Sequence, residues 1–197
     1  MYCDSKKFIF NHIGKCGGSS IKHAIHTHIP YEDLKFICGH ASLKEMYEMI
    51  KENNNIPEEY FLFCSVRNPW DRAVSLYYHK KTIQRRLDDQ NIKNSEKSSY
   101  SLPKDMQFKE YLFTYRKNYS VSQDYKKSNF IIRFENLQKD FNRVCEIIGI
   151  PLTKLPIIDY STGRPKDKKY QEYYDKESKD LVSEVCEEYI EYFNYEF

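Results

Sequence analysis

Apolar and polar positions repeat along the chain with two different periods. Four short segments are rich in Phe, Ile, Leu and Val, as strands are, and between them apolar positions recur every three or four residues, as in helices. The predicted strands are 6–13, 35–38, 60–66 and 129–134. The run at 60–66 is almost continuously apolar, which is typical of a parallel strand buried on both faces. Strands alternating with helices predict an α/β fold with a mainly parallel sheet flanked by helices.

Local signals mark several helix ends. Ser42 and Glu45 have the spacing of a capping box. Asn68 followed by Pro69 places a capping side chain before a proline at the first helical position. Gly149 stands where a helix is expected to end. The predicted helices are 19–29, one beginning after Ser42, one from Pro69 to about Arg86, 105–117, 137–148 and 175–193.

The composition indicates a globular protein. The chain has 197 residues, 40% of them hydrophobic and 16% aromatic, which is enough apolar mass for one compact domain over 1–197. Residues 88–104 are polar, and we expect a mobile insertion there. No stretch approaches the roughly 20 apolar residues that a membrane span requires. The six cysteines lack CxxC pairs and metal-ligand spacing, so we expect no metal site and a reduced, intracellular setting.

The charge is unevenly distributed. A net charge of +2 argues against non-specific binding of nucleic acid. Residues 67–86, however, hold six basic residues and one acidic residue, Asp71, which indicates a local anionic ligand. The four basic residues at the end of this segment, Lys80, Lys81, Arg85 and Arg86, form either a solvated helix face or a surface for an anionic acceptor.

A glycine-containing turn joins the first predicted strand to the first predicted helix, with the sequence GKCGGSS over 14–20. Glycines let backbone amides approach an anion, and a helix start adds unpaired N–H groups and a positive dipole. Lys15 can reach over the bound group. The pattern departs from GxxxxGK[ST], because the lysine precedes the glycine pair. We therefore predict a phosphate-binding loop. The alternative is a tight turn that needs glycine for its geometry alone.

A second group of polar residues follows the strand at 60–66. Arg67 leaves the end of this strand and offers a planar fork to phosphate. Ser75 lies about two helical turns further on, so both side chains could hold one anion. We expect Asp71 to take part with Asn68 in capping the helix, and Arg72 to be solvated or paired.

Taken together, these segments resemble the sulfotransferases. HIGKCGGSSI (12–21) resembles their HIPKTGGTS-type loop for the 5'-phosphosulfate, and SVRNPWDRAVSLYYH (65–79) resembles their VRNPxxRxxSxY-type motif for the 3'-phosphate. The spacing of the two, with Gly39-His40 between them, is similar to the Golgi-type carbohydrate sulfotransferases. The segments 131–150 and 169–197 are similar to later blocks of that group, so the resemblance covers most of the chain outside the polar insertion.

The resemblance implies a P-loop-kinase-like sulfotransferase fold and transfer of a sulfuryl group from 3'-phosphoadenosine 5'-phosphosulfate (PAPS) to a hydroxyl, most simply of a glycan. It assigns the 5'-phosphosulfate to Lys15, Gly17, Gly18, Ser19 and Ser20, the 3'-phosphate to Arg67 and Ser75, and the segment closing over the nucleotide to Thr162, Arg164 and Lys166. The sequence departs from the family pattern at Gly14, where proline is usual, and at Cys16, where threonine is common.

Two residues are predicted to carry the chemistry. Lys15 would stabilise the charge that develops on the leaving phosphate. The acceptor hydroxyl needs a base, and His40, at the family's GH position, is the predicted one. The alternative for His40 is a helix-start residue bonded to backbone, and His12 is the second candidate base.

Two other functions stay open at this stage. A P-loop kinase would use a similar loop, but the Walker lysine and a Mg²⁺-binding carboxylate after a strand are lacking. A non-catalytic module that binds a polyanion through its basic helix is the other alternative. For a sulfotransferase we expect a hydroxyl-bearing acceptor, no nucleic-acid partner and a cytoplasmic location, with a trimmed Golgi-lumenal domain as the alternative location.

Overall fold

A computed structural model describes residues 1–35, 42–89, 102–158 and 163–197. Four predictions fall wholly or partly outside these residues. They concern the end of the second strand at 36–38, the base His40, most of the 88–104 insertion and the nucleotide-binding candidate Thr162.

Twelve regular strands and helices occur in the described ranges, apart from short 3-10 turns. The strands are β1 (Tyr2–Cys3), β2 (Phe8–Asn11), β3 (Leu34–Lys35), β4 (Phe61–Val66) and β5 (Phe130–Arg133). The helices are α1 (Gly18–His26), α2 (Leu43–Glu52), α3 (Pro69–Asp89), α4 (Phe108–Thr114), α5 (Leu137–Ile148), α6 (Lys176–Val185) and α7 (Glu187–Phe193). The α/β class and a sheet flanked by helices are therefore confirmed.

The sheet is mixed, so the prediction of a mainly parallel sheet was wrong. Its strand order is β3-β1-β2-β4-β5. The strands β2, β4 and β5 are parallel to one another, but β1 is antiparallel to both β2 and β3. β1 was not predicted, because two residues are too few to show an alternating pattern.

The first compact unit consists of Met1–Arg67 and Ser122–Ile158. Because successive strand residues point to opposite faces, each face of the sheet carries its own set of apolar side chains. One face packs against α1 and α5, in a cluster that includes Phe10, Ile21, Ile25, Phe63, Phe141 and Val144. The other face packs against α2, through Ile9, Leu43, Met46, Ile50 and Leu62. Helices therefore cover both faces of the sheet in this unit.

The second compact unit consists of Asn68–Val121 and Asp159–Phe197. Its described part is helical, and aromatic residues supply much of its core. The hydroxyls of buried Tyr77 and Tyr119 donate to the carbonyls of Met106 and Leu112, both at 2.9 Å. These hydrogen bonds offset the cost of burying a hydroxyl.

The helix predicted over 175–193 is interrupted at Cys186, where α6 ends and α7 begins. Cys186 departs from helical geometry, with φ −112° and ψ 15°, and its thiol contacts the Tyr119 carbonyl at 3.4 Å. Neither glycine nor proline marks this break, so the apolar period alone could not reveal it.

Three predicted absences concern membrane spans, disulfides and metals. None of the described helices combines the length and apolar character that crossing a bilayer needs. The five cysteines in the described ranges are free and buried: Cys3, Cys16, Cys64, Cys145 and Cys186. Within the same ranges, no three His, Cys, Asp or Glu side chains are grouped so that they could hold a metal ion.

Candidate functional site

Residues 14–20, named the phosphate loop after the role that the sequence predicts for them, connect β2 to α1 in the first unit. Two of its residues have left-handed backbone conformations, Lys15 with φ +67° and Gly17 with φ +80°. Left-handed residues in a turn belong to the concave arrangements of N–H groups that bind anions. Glycine adopts such a φ without cost, but for lysine the conformation is uncommon.

The start of α1 is left without a side-chain cap. Gly17 is its N-cap residue and provides no side-chain acceptor, and the first turn contains no acidic residue. The first N–H groups of a helix have no intrahelical acceptor and carry the positive end of the helix dipole. Ser19 and Ser20 lie in this first turn and add hydroxyl donors. The helix start therefore favours an anion electrostatically, as the sequence predicts.

Both glycines of the pair lie in close contact with neighbouring side chains. A Cβ added at Gly18 would overlap the imidazole of His12. A Cβ added at Gly17 would lie 2.9 Å from a methyl carbon of Leu137. His12 also stacks on the ring of Phe10, with ring centroids 5.8 Å apart. His12 therefore packs against the backbone of the phosphate loop, in addition to being the second candidate base.

Arg67 follows the last residue of β4 and lies against the phosphate loop. Its Nη1 donates to the main-chain carbonyl of Lys15 at 3.1 Å. Its guanidinium carbon lies 3.9 Å from the centroid of the Phe134 ring, and the residue is only 8% exposed. The carboxyl ends of neighbouring parallel strands meet at one edge of a sheet, and here β2, β4 and β5 bring these three residues together.

Sequence reasoning missed the contributions of Phe134 and Leu137. Phe134 follows β5 directly, and Leu137 begins α5. These contributions could have been predicted from the parallel strands, because β5 ends at the same sheet edge as β2 and β4. Apolar residues just after that strand could have been expected to support the loop.

In the second unit, Asn68 caps α3 as predicted. Its side-chain oxygen accepts from the N–H groups of Trp70 at 3.1 Å and Asp71 at 3.2 Å. Its amide nitrogen donates to the Glu196 carbonyl at 2.8 Å. Asn68 thus ties the start of α3 to the last residues of the chain.

The side chains of Asp71 and Arg72 both make contacts within the second unit. The Asp71 carboxylate forms an ion pair with Arg164 at 2.8 Å, and the two side chains are 18% and 21% exposed. Arg72 is buried rather than solvated, and its Nη1 donates to the Tyr119 carbonyl at 2.8 Å. Arg164, the candidate for closing over the nucleotide, is therefore attached to the first turn of α3.

The remaining candidates are distributed as follows. Ser75 is buried on α3, and Lys166 is exposed in the second unit. Among the basic residues at the end of α3, Arg85 and Arg86 are exposed, whereas Lys80 is buried. Burial lowers the pKa of Lys80, whose Nζ lies 5.5 Å from the centroid of the Tyr115 ring. The basic run is therefore not a uniformly solvated face.

Comparison with known proteins identifies the class. Residues 1–196 match the model of the sulfotransferase family, and the chain belongs to that family. An uncharacterised protein of Archaeoglobus fulgidus is 33% identical over 92 residues, which are 47% of this chain and 70% of that protein. No solved structure matches the chain. Family membership supports sulfuryl transfer as the general activity.

Proposed function

We propose that this protein transfers a sulfuryl group from PAPS to a hydroxyl group of a carbohydrate. The observation that carries the proposal is the contact between the two motifs, since Arg67 of the second bonds to Lys15 of the first at 3.1 Å. The donor and the carbohydrate acceptor are inferred from the sequence resemblance, and the family supports the type of transfer.

The phosphate loop fits the anionic end of such a donor. Gly17 caps α1 without a side-chain acceptor, the first turn of α1 holds no acidic residue, and Lys15 provides a cation. When bound, PAPS supplies the sulfuryl group and a phosphate leaving group. Lys15, Gly17, Gly18, Ser19 and Ser20 would bind the 5'-phosphosulfate and stabilise negative charge there.

The other end of the nucleotide is assigned by the resemblance. Arg67 lies beside the phosphate loop and would bind the 3'-phosphate with part of its guanidinium. Ser75, Thr162, Arg164 and Lys166 are assigned to the nucleotide by the resemblance alone.

The predicted base is His40, which would accept the proton of the acceptor hydroxyl. We expect His40→Ala to abolish turnover and to leave nucleotide affinity nearly unchanged, as measured by sulfate-transfer assay and calorimetry. Full activity of His40→Ala would overturn this role and transfer it to His12, the next candidate.

Ligand-dependent thermal unfolding tests the donor. Adenosine 3',5'-bisphosphate at about 100 times its Kd should raise the Tm by roughly 5–10 °C, and ATP should have a much smaller effect. An unchanged Tm at millimolar bisphosphate would count against the proposal. A Mg²⁺-dependent shift with ATP would instead favour a kinase. Salt-sensitive binding of polyanions without any bisphosphate effect would favour a non-catalytic module.

An acceptor screen with labelled donor tests the carbohydrate assignment. Sugars, glycans, phenols and amines would be compared at equal concentration. Labelling confined to phenols or amines would overturn the carbohydrate and keep the sulfuryl transfer.

A further inference from the structure

The Arg67 guanidinium contacts the phosphate loop directly. One of its nitrogens donates to the Lys15 carbonyl at 3.1 Å, and its planar group lies on the Phe134 ring at 3.9 Å. Hydrogen bonds from a charged donor are stronger than neutral ones, so this contact stabilises the peptide group that it reaches.

That peptide group needs stabilisation. Lys15 has φ +67°, and a non-glycine residue persists in the left-handed region only when its surroundings hold it there. The Lys15 carbonyl accepts from Arg67 in this conformation. The neighbouring Gly17, with φ +80°, lies against Leu137 and Phe134. Phe134 therefore supports both the arginine and the loop that the arginine contacts.

We propose that Arg67 is a positioning residue for the phosphate loop, so that binding at the 5' end of a nucleotide depends on Arg67 even when no 3'-phosphate is present. This inference rests on the proposed function and extends it. If Arg67 acted only on the 3'-phosphate, its substitution would leave the affinity for a ligand without that group unchanged.

Two nucleotides separate these roles. Adenosine 3',5'-bisphosphate carries both ends, whereas adenosine 5'-phosphosulfate lacks the 3'-phosphate. Calorimetry with Arg67→Ala should show affinities for both nucleotides at least tenfold weaker than in the wild type. Arg143→Ala, an exposed arginine on α5, is the matched control and should change neither affinity. An affinity of Arg67→Ala for the 5'-phosphosulfate within twofold of the wild type would overturn the proposal.

Two milder variants serve if Arg67→Ala does not fold. Arg67→Lys keeps the charge but loses the planar fork, and Phe134→Leu keeps Arg67 but removes its flat support. Each should weaken the binding of both nucleotides by similar factors. A loss confined to the bisphosphate in both variants would overturn the proposal.

Amide hydrogen exchange without any nucleotide gives a readout independent of the proposed function. Residues 14–20 should exchange faster in Arg67→Lys than in the wild type, and α2 should be unchanged. Equal exchange in the loop would overturn the positioning role. If the wild type bound neither nucleotide, the proposed donor would be wrong, and the exchange comparison would still decide what Arg67 does for the loop.

Discussion

Arg67 donates a hydrogen bond to the main-chain carbonyl of Lys15, a residue 52 positions earlier in the sequence. The contact exists because β2 and β4 are adjacent and parallel, with Asn11 opposite Cys64 in the register. The two motifs that resemble donor-binding segments therefore meet at one sheet edge. Had these residues pointed into unrelated regions, a single nucleotide could not have reached both.

The close contact of Gly18 with His12 predicts a compensating pair of substitutions. Gly18→Ala should lower the free energy of unfolding by about 1–3 kcal/mol, because the new methyl group overlaps the imidazole. In His12→Ala, the same glycine substitution should cost less, and urea unfolding measures the difference.

The control for this pair is Gly149→Ala. Gly149 also has a left-handed φ, +67°, but a Cβ there would meet nothing closer than the Lys6 Nζ at 3.7 Å. His12→Ala should not change the cost of this control substitution. Strictly additive effects of the Gly18 and His12 substitutions would contradict the contact.

Removing the charge of Lys15 should lower the rate of sulfate transfer without unfolding the protein. Lys15→Met keeps the length of the side chain and removes its charge, so kcat for sulfate transfer should fall by about a hundredfold or more. Lys44→Met, at an exposed position of α2, is the matched control and should retain full activity. A kcat of Lys15→Met within threefold of the wild type would exclude Lys15 from charge stabilisation.

The ion pair of Asp71 and Arg164 predicts a measurable coupling energy. Because both side chains are mostly buried, a double-mutant cycle of Asp71→Asn and Arg164→Gln should give about 0.5–3 kcal/mol in urea unfolding. The exposed pair Arg143 and Glu146, 2.6 Å apart and 64% and 52% exposed, should give less than about 0.5 kcal/mol. Equal couplings in the two cycles would show that burial adds nothing to the first pair.

The hydrogen bonds of the Asp175 carboxylate predict that the stability of the fold depends on pH. Hydrogen bonds from Lys109 and Ser178 hold the pKa of its carboxyl well below its usual range. A depressed pKa in the folded state contributes stability above the unfolded pKa of about 3.9, and this stability is lost as the pH falls through the folded value.

The corresponding experiment compares Tm values. Asp175→Ala removes the cap of α6 and should have a lower Tm than the wild type at pH 7. The difference should shrink as the pH is lowered below about 4. A difference that stayed constant down to pH 2 would show that the carboxylate charge does not contribute.

The elements that the sequence predicted well depend on local interactions. The capping box of Ser42 and Glu45 is present, and Asn68 caps α3, because these contacts span three residues or fewer. The apolar periods predicted the positions of β2, β4, β5, α1 and α5 to within a few residues. They did not reveal β1, which is too short to have a period, or the break at Cys186, which no local residue signals.

The sequence by itself thus determined the α/β class, the main strands and helices, and the residue types of the phosphate loop. Only the tertiary structure decided that the sheet is mixed, that Arg67 holds the loop carbonyl, and that Arg164 pairs with Asp71. The physical reason is the separation along the chain of the residues that interact. Periodicity and capping act over a few residues, whereas these contacts depend on which strands are neighbours and on what is buried between segments far apart in the chain.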